Sequence, residues 1–297
     1  MIAPGDRAQD FDLKDGRRLP RITVITPSFN QAAFLEGTIR SVLDQEYPSL
    51  EYIIIDGGST DNSVEIIRKY SHRLAYWCSE KDGGQSHAIN KGLRIATGEI
   101  IGWLNSDDIY YADSIWKAAQ IFAKNPATDI LFGNYDYIDD EGRTVHRRRE
   151  LPYDFRVYLW TGACYHANVA GFYRKKCFDS FGLVREDLHH SMDYELYLRF
   201  GINRCTFQHV PDVLGAYRLH MSSKTILARS SFIQEAKVIR QEHFTRLDTA
   251  SVSKLLLPIY YKTVRYIKKL FTGCYSLGNL RSRAMFRKMR EGTVQGH

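Results

Sequence analysis

Between residues 21 and 135, short apolar runs alternate with segments of helical period, and this rhythm limits the possible folds more than any other feature. "RITVIT" (21–26) and "EYIIID" (51–56) read as strands, the second apolar almost throughout, as in a strand covered on both faces. Between them, Asn30 is placed to cap a helix in which Leu35, Ile39, Val42 and Leu43 share one side. Asp61 is placed to cap a second helix, marked by Val64, Ile67 and Tyr70. "LAYWCS" (74–79) is a third strand, and "GGQSHAINKGLRIATG" is a turn, a helix and a glycine stop. "EIIGWLN" (99–105) is a fourth strand, a helix follows to about Phe122, and "DILFGNY" is a fifth strand. Repeated strand–helix units predict an α/β fold: a Rossmann-like, mostly parallel sheet with helices on both faces.

Past residue 140 the rhythm breaks into an irregular, aromatic stretch, with one clear helix in "SMDYELYLRFG" (191–201). From about 223 the chain reads as helical to its end. The expected organisation is a lead-in over 1–20, a first half over 21–135, a second half built onto the sheet over 136–225, and a basic helical tail over 226–297.

The 297 residues suffice for one large domain or two small ones, and 44% hydrophobic with 25% charged residues fits a soluble globular protein. Nineteen Tyr and fifteen Phe hint at surfaces that contact carbohydrate. The net charge of +7 is concentrated in the tail, where ten Lys and Arg from Lys254 onward face one acid, Glu291. The rest is nearly neutral, which argues against a nucleic-acid-binding body. Five scattered cysteines form no C-x-x-C pair, so zinc ribbons and thioredoxin chemistry are unsupported, and no apolar run approaches a membrane span. With no signal peptide evident, a reducing cytoplasm is expected.

In an open parallel sheet, ligands bind at the carboxyl ends of the strands. Those ends carry "TPSFNQ", "DGGSTD", "SEKDGG" and "NSDD". Each alone reads as a turn or helix cap, but four acid- or amide-bearing loops on one edge point to a shared ligand. The chain has no Walker ending after "GGQSHAIN" and no strand running into G-x-G-x-x-G, which disfavours a P-loop enzyme and a nicotinamide dehydrogenase.

The stretch from "ITVITPSFNQ" through "DGGSTDNSVEII" to "GGQSHAINKGLRIATGEIIGWLNSDD" resembles family 2 glycosyltransferases of the GT-A fold, closely over about 21–125 and more loosely through "SMDYELYLRF" and "YRLHMSSKT". The resemblance implies an inverting, metal-dependent transfer of a sugar from a nucleotide diphosphate, with a UDP-sugar the expected donor. The acceptor would be a glycan or a lipid-linked glycan in surface polysaccharide synthesis. The leaving diphosphate bears several charges, and a Mn²⁺ or Mg²⁺ ion held by carboxylate oxygen neutralises them. By resemblance, Asp107 is a metal ligand and His220 joins it at the metal or diphosphate. Asn105 stands where the family has the first Asp of Asp-x-Asp and offers a weaker oxygen, with Ser106 between them. Asp108 either caps the next helix or touches the sugar.

Resemblance also implies that Asp56 contacts the nucleoside, that Asp82 approaches the base, and that the Thr26 and Pro27 backbone and the Asn30 side chain lie under it. Lys91, one turn from His87, is either a diphosphate ligand or a solvated lysine. Arg218 and Lys224 are further phosphate donors. Asp193 is the expected general base, with Glu195 as rival, and Met192 stands where the family commonly has Glu. His189 and His190 either line the acceptor site or lie on the surface. Asn105 and Met192 also keep open a catalytically inactive sugar-nucleotide- or glycan-binding module. A nucleotidyltransferase would need a glycine-rich basic loop that the N-terminus lacks.

In the tail, Tyr260, Val264, Ile267 and Phe271 fall on one helical face, and Lys262, Arg265 and Lys269 fall on the other. Two readings are open. Such a helix lies on an anionic membrane, at the inner face of the plasma membrane, or it packs on the body with its basic side in solvent.

Overall fold

The computed structural model describes residues 16–221, 229–246 and 251–271. Its centre is a nine-stranded sheet. Strands β1 (Ile22–Ser28), β2 (Leu50–Asp56), β3 (Tyr76–Ser79) and β4 (Ile100–Trp103) run parallel in the order β3-β2-β1-β4. The sheet continues through an antiparallel β8 (Gly171–Arg174) to β6 (Ile130–Ile138) and then β9 (Phe207–Arg218), with β6 and β9 parallel to each other. Short β5 (Ile109–Tyr110) and β7 (Thr144–Arg148) pair antiparallel with β9 and β6. Six strands therefore point one way and three (β5, β7 and β8) the other, so the sheet is mixed α/β rather than wholly parallel. Strands from both expected halves share this one sheet.

Alternation along the strands builds two cores. Ile22, Val24, Ile54 and Ile100 face helices α1 (Ala32–Leu43), α2 (Ser63–Tyr70) and α4 (Ser114–Lys124). Ile25, Ile53, Ile55 and Ile101 face α3 (Gln85–Ile95), α5 (Phe155–Thr161), α6 (Lys175–Phe181) and α7 (Met192–Ile202). Gly92 lets α3 lie tight on β1, because a Cβ there would meet Ile25 at 2.6 Å.

Local contacts around these helices differ in part from the sequence expectation. Asn30 does not cap α1: it takes a left-handed φ of 51°, and its Oδ1 accepts from the Thr60 amide at 2.8 Å. Asp61 instead serves both helices, accepting from the amides of Ala32 in α1 and Ser63 in α2, each at 3.0 Å. At the end of the lead-in, Leu19 is buried, and the carbonyl of Pro20 accepts from the Tyr47 hydroxyl at 2.6 Å. Pro258 lies inside a helix.

The tail contributes α8 (Arg229–Arg246) and α9 (Ser251–Phe271). Neither reading of the tail gave its orientation. Leu257 and Tyr261 pack on the core, Arg265 stacks 4.9 Å from the Tyr165 ring, and Lys268 pairs with Asp154 at 2.9 Å. The basic side of α9 thus turns toward the body, while Tyr260 and Ile267 face outward. Lys262 stays exposed. Among the described residues no helix is long and apolar enough to cross a membrane.

Candidate functional site

The carboxyl ends of β1, β2, β3, β4, β6 and β9 share one edge, and the turn after β4 sits there. Asp107 remains partly exposed, and its Oδ2 lies 2.9 Å from His220 Nε2, just past the end of β9. Two residues that the resemblance links to the metal or diphosphate are therefore brought together. Among the described residues no group of three or more His, Cys, Asp and Glu side chains is arranged to hold a metal. A divalent cation at Asp107 and His220 would take two protein ligands and draw the rest from diphosphate and water, as hard cations beside phosphates do. The donor set fits that role.

The other members of the turn do structural work. Asn105 does not present its oxygen to a metal: Oδ1 accepts from Gln85 Nε2 at 2.8 Å and Trp103 Nε1 at 2.9 Å. Its Nδ2 reaches Asp108 Oδ2 at 3.3 Å. Asp108 is buried and does not cap α4; its Oδ1 accepts from the Arg218 amide at 2.9 Å. Burial and the adjacent Asp107 hold the Asp108 carboxyl well above the usual carboxylate range, opposed by the Arg218 amide and Asn105. Ser106 is buried too. Its carbonyl and that of Asp108 lie 2.9 and 2.7 Å from the Thr38 hydroxyl, which fixes the turn against α1.

Arg218, expected as a phosphate donor, also engages main-chain oxygens. Its guanidinium donates to the carbonyls of Asp107 at 2.9 Å, Asp139 at 2.9 Å and Asp140 at 3.2 Å. It also stacks 4.9 Å from the Phe34 ring, which lies 4.8 Å from the His220 ring. Arg218 thus clamps the β4 and β6 turns together beside the Asp107–His220 pair. Lys224 lies outside the described residues.

The first three strand ends form an interlocked set of loops. Asp56 is fully buried, and its Oδ2 accepts from the amides of Gly58 and Ser59 and the hydroxyl of Ser79, while Oδ1 accepts from the Ser59 hydroxyl. It shapes the loop and offers a nucleoside no exposed surface. The Asn30 amide donates to Ser59 Oγ at 2.8 Å, joining this loop to the one after β1. Thr26 is buried, its hydroxyl 3.1 Å from that of Tyr52, so only its main chain is available to a ligand, and neighbouring Pro27 is also buried. Asp82 is partly exposed and accepts from the Gly84 amide at 2.8 Å. Its carboxylate lies where a side chain on Gly57 would sit, with Oδ1 3.1 Å from that Cβ position. Lys91 pairs with Glu80, which accounts for its ammonium without a diphosphate.

Asp193 opens α7. Its Oδ1 accepts from the Tyr194 amide at 2.7 Å, and Oδ2 accepts from the Cys164 thiol at 3.7 Å. Burial pushes its carboxyl up to about 6, against the lowering effect of those two donors. Glu195 faces elsewhere, buried and bonded through both oxygens to Arg199, with the closest contacts at 2.9 Å. Arg199 in turn donates to the carbonyls of Phe181, Gly182 and Leu183. This removes Glu195 as a rival base. Met192 Sδ accepts from Ser86 Oγ at 2.7 Å, so neighbouring residues on α3, Gln85 and Ser86, bridge the β4 turn and the start of α7.

Sequence reasoning missed Glu235 on α8. Its carboxylate accepts from the amides of His189 at 3.2 Å, His190 at 2.9 Å and Ser191 at 2.8 Å, just ahead of Asp193. His189 is exposed and His190 half-buried. It is one of four acids in the tail, with Glu242, Asp248 and Glu291, and nothing in the sequence set it apart. Phe34 and Thr38 were also missed; a polar Thr38 on the apolar face of α1 was the available clue. Near Asp193, His166 is buried, with Nδ1 2.6 Å from the Tyr158 hydroxyl and Nε2 3.0 Å from the Leu151 carbonyl. Burial lowers its pKa to about 3, so it is a neutral wall residue with Nε2 as donor.

The chain matches glycosyl transferase family 2 over residues 23–221. It is 27% identical over 221 residues to an uncharacterized glycosyltransferase of Rickettsia typhi, covering 72% of this chain and 68% of that protein. It is 33% identical over 142 residues to the putative teichuronic acid biosynthesis glycosyltransferase TuaG of Bacillus subtilis, covering 46% and 56%. Its fold is similar to Staphylococcus aureus TarS 1–349 in complex with UDP-GlcNAc, at TM-score 0.57 and 17% identity over 93% of this chain and 92% of that one. It is also similar to a Pyrobaculum calidifontis mannosyltransferase in complex with GDP-Man and Mn²⁺, at TM-score 0.59 and 19% identity over 93% and 84%.

Proposed function

The chain belongs to the family 2 glycosyltransferases, and on that premise we propose that it transfers a sugar from a nucleotide diphosphate, most simply UDP, to a glycan or lipid-linked acceptor with inversion. The observation that carries the proposal is the Asp107–His220 pair, 2.9 Å apart at the carboxyl edge of the sheet. Matches to TuaG and to structures with bound nucleotide sugars support the donor class and a role in surface polysaccharide synthesis. The compartment proposed is the cytoplasm, at the inner face of the membrane.

In this reading the β1 and β2 loops, organised by Asn30 and Asp56, and Asp82 after β3 form the nucleoside side. Main chain at Thr26 and Pro27 completes it. Asp107 and His220 would hold Mn²⁺ or Mg²⁺, which would supply charge neutralisation for the diphosphate. Ser106, Asn105, Asp108 and Arg218 set the position of Asp107. The acceptor hydroxyl gives its proton to Asp193 as its oxygen bonds to the anomeric carbon and the bond to the diphosphate breaks. A carboxylate raised to about 6 suits this task, since it is ionised at neutral pH yet more basic than an ordinary aspartate.

An inactive binding module was suggested by Asn105 and Met192, and both departures have structural partners here. Thermal shift with a panel of nucleotide sugars, with and without Mn²⁺, tests donor binding, because a ligand of the native state raises its melting temperature. A metal-dependent shift with product formation supports the transferase. Donor binding with neither transfer nor hydrolysis establishes the inactive module.

A further inference from the structure

Helix α9 holds its apolar stripe away from the body. Leu256, Ile259, Tyr260, Ile267 and Leu270 are each 44–62% exposed. At 100° per residue they fall within an arc of about 100°, along about 21 Å of helix. On the opposite side, Leu257 and Tyr261 join the core and Lys268 pairs with Asp154. The helix is thus anchored through one face and presents the other.

We propose that this outward face docks the protein on an anionic lipid bilayer. Charge selects the occupant. Residues 251–271 contain no acid, and Lys262 is exposed, while Arg265 and Lys268 engage the body. The sequence that follows adds Arg281, Arg283, Arg287, Lys288 and Arg290 against Glu291. Two copies meeting through this face would bring two strongly cationic segments together, whereas an anionic membrane attracts them. Aliphatic side chains at the centre of the face suit an acyl boundary rather than a polyanion in water.

The position of α9 gives the docking a use. Arg265 stacks on Tyr165, and the adjacent Cys164 touches Asp193, so the membrane-facing helix borders the side of the site that carries the base. A lipid-linked acceptor could present its hydroxyl there with its apolar chain still in the bilayer. That consequence rests on the transferase reading; the docking does not.

The test is co-sedimentation of the full chain with vesicles of phosphatidylcholine alone or mixed with phosphatidylglycerol. Wild type is expected on the mixed vesicles, with weaker binding to neutral vesicles and at high salt. Ile259→Ser with Ile267→Ser should lower partitioning at least about tenfold, because two inserting side chains are lost. Melting temperature and nucleotide-sugar thermal shift should be unchanged, so a failed donor assay and a failed docking assay are separable. A second pair, Leu256→Ser with Leu270→Ser, repeats the test at the ends of the stripe. Equal partitioning of wild type and both variants overturns the proposal. So does a dimer, seen by sedimentation velocity without vesicles, that the substitutions dissolve.

Discussion

Asp107 and His220 stand 113 positions apart in the chain and 2.9 Å apart in the fold. The contact depends on β9 running with β6 toward the same edge as β4, and on Phe34 and Arg218 packing beside the imidazole. Asp107→Asn keeps the side-chain shape and removes the charge. Transfer should fall by at least about 10²-fold, the scale for losing one group that stabilises developing charge. Melting temperature should hold, since Asp107 is partly exposed. His220→Gln should raise the Mn²⁺ concentration needed for half-maximal rate. Unchanged metal dependence in both variants would remove the pair from the metal site.

Asn105 gives a less obvious prediction. Replacing it with Asp restores the family's Asp-x-Asp but takes away the donor that Asn105 offers to buried Asp108. A second carboxyl would then face Asp108, whose own carboxyl is already held well above the usual range by burial and Asp107. Asn105→Asp should destabilise the protein by about 1–3 kcal/mol at neutral pH, the usual cost of an unsatisfied buried polar contact. The introduced carboxyl should have a folded-state pKa above its unfolded value. Its penalty is then fully present above the folded pKa and fades as pH falls through it. Chemical denaturation at pH 8 and pH 5 measures this. A variant as stable as wild type at pH 8 would contradict it.

How much of this was legible in sequence divides along a physical line. Strand–helix rhythm located β1 to β4 and their helices because periodicity is local, and the carboxyl-end rule put Asp107 at the right edge. Partners chosen by tertiary approach were not legible. Asp61, rather than Asn30, serves α1 because the β2 loop folds across it. Arg218 was expected as a phosphate donor, and its bonds to the Asp139–Asp140 turn were not legible. For α9, periodicity separated the two faces but could not say which one the body takes; Asp154 and Tyr165 decide that.

Asp193 combines an activity prediction with a stability prediction. Asp193→Asn should lower transfer by about 10²–10⁴-fold while donor affinity persists. Wild-type rate should fall as pH drops through about 6, because protonation removes the base. A carboxyl raised above its unfolded value costs stability once it is ionised, and that cost is largest above about pH 6. The neutral amide escapes it, so the variant should be more stable at pH 7.5 by about 1–3 kcal/mol, at 1.36 kcal/mol per pKa unit. Urea titration and a pH–rate profile read the two effects. A slow variant that is also less stable would point to a structural role for Asp193.

Glu235 should act on the base through position and charge. It binds three successive amides ahead of Asp193, and its negative charge helps to raise the Asp193 carboxyl. Glu235→Gln keeps one acceptor oxygen and removes the charge. The maximal rate should fall by about 3–10-fold, a modest loss for a group that acts through another. Donor affinity should stay constant, since the nucleoside loops are remote in sequence and carried by other elements. The informative readout is the pH profile: with a negative neighbour gone, Asp193 ionises more easily and the acidic inflection moves to lower pH. A purely structural tie would lower the rate and leave the inflection where it was. An inflection that stays at the wild-type pH in Glu235→Gln, with melting temperature preserved, would therefore separate Glu235 from the base.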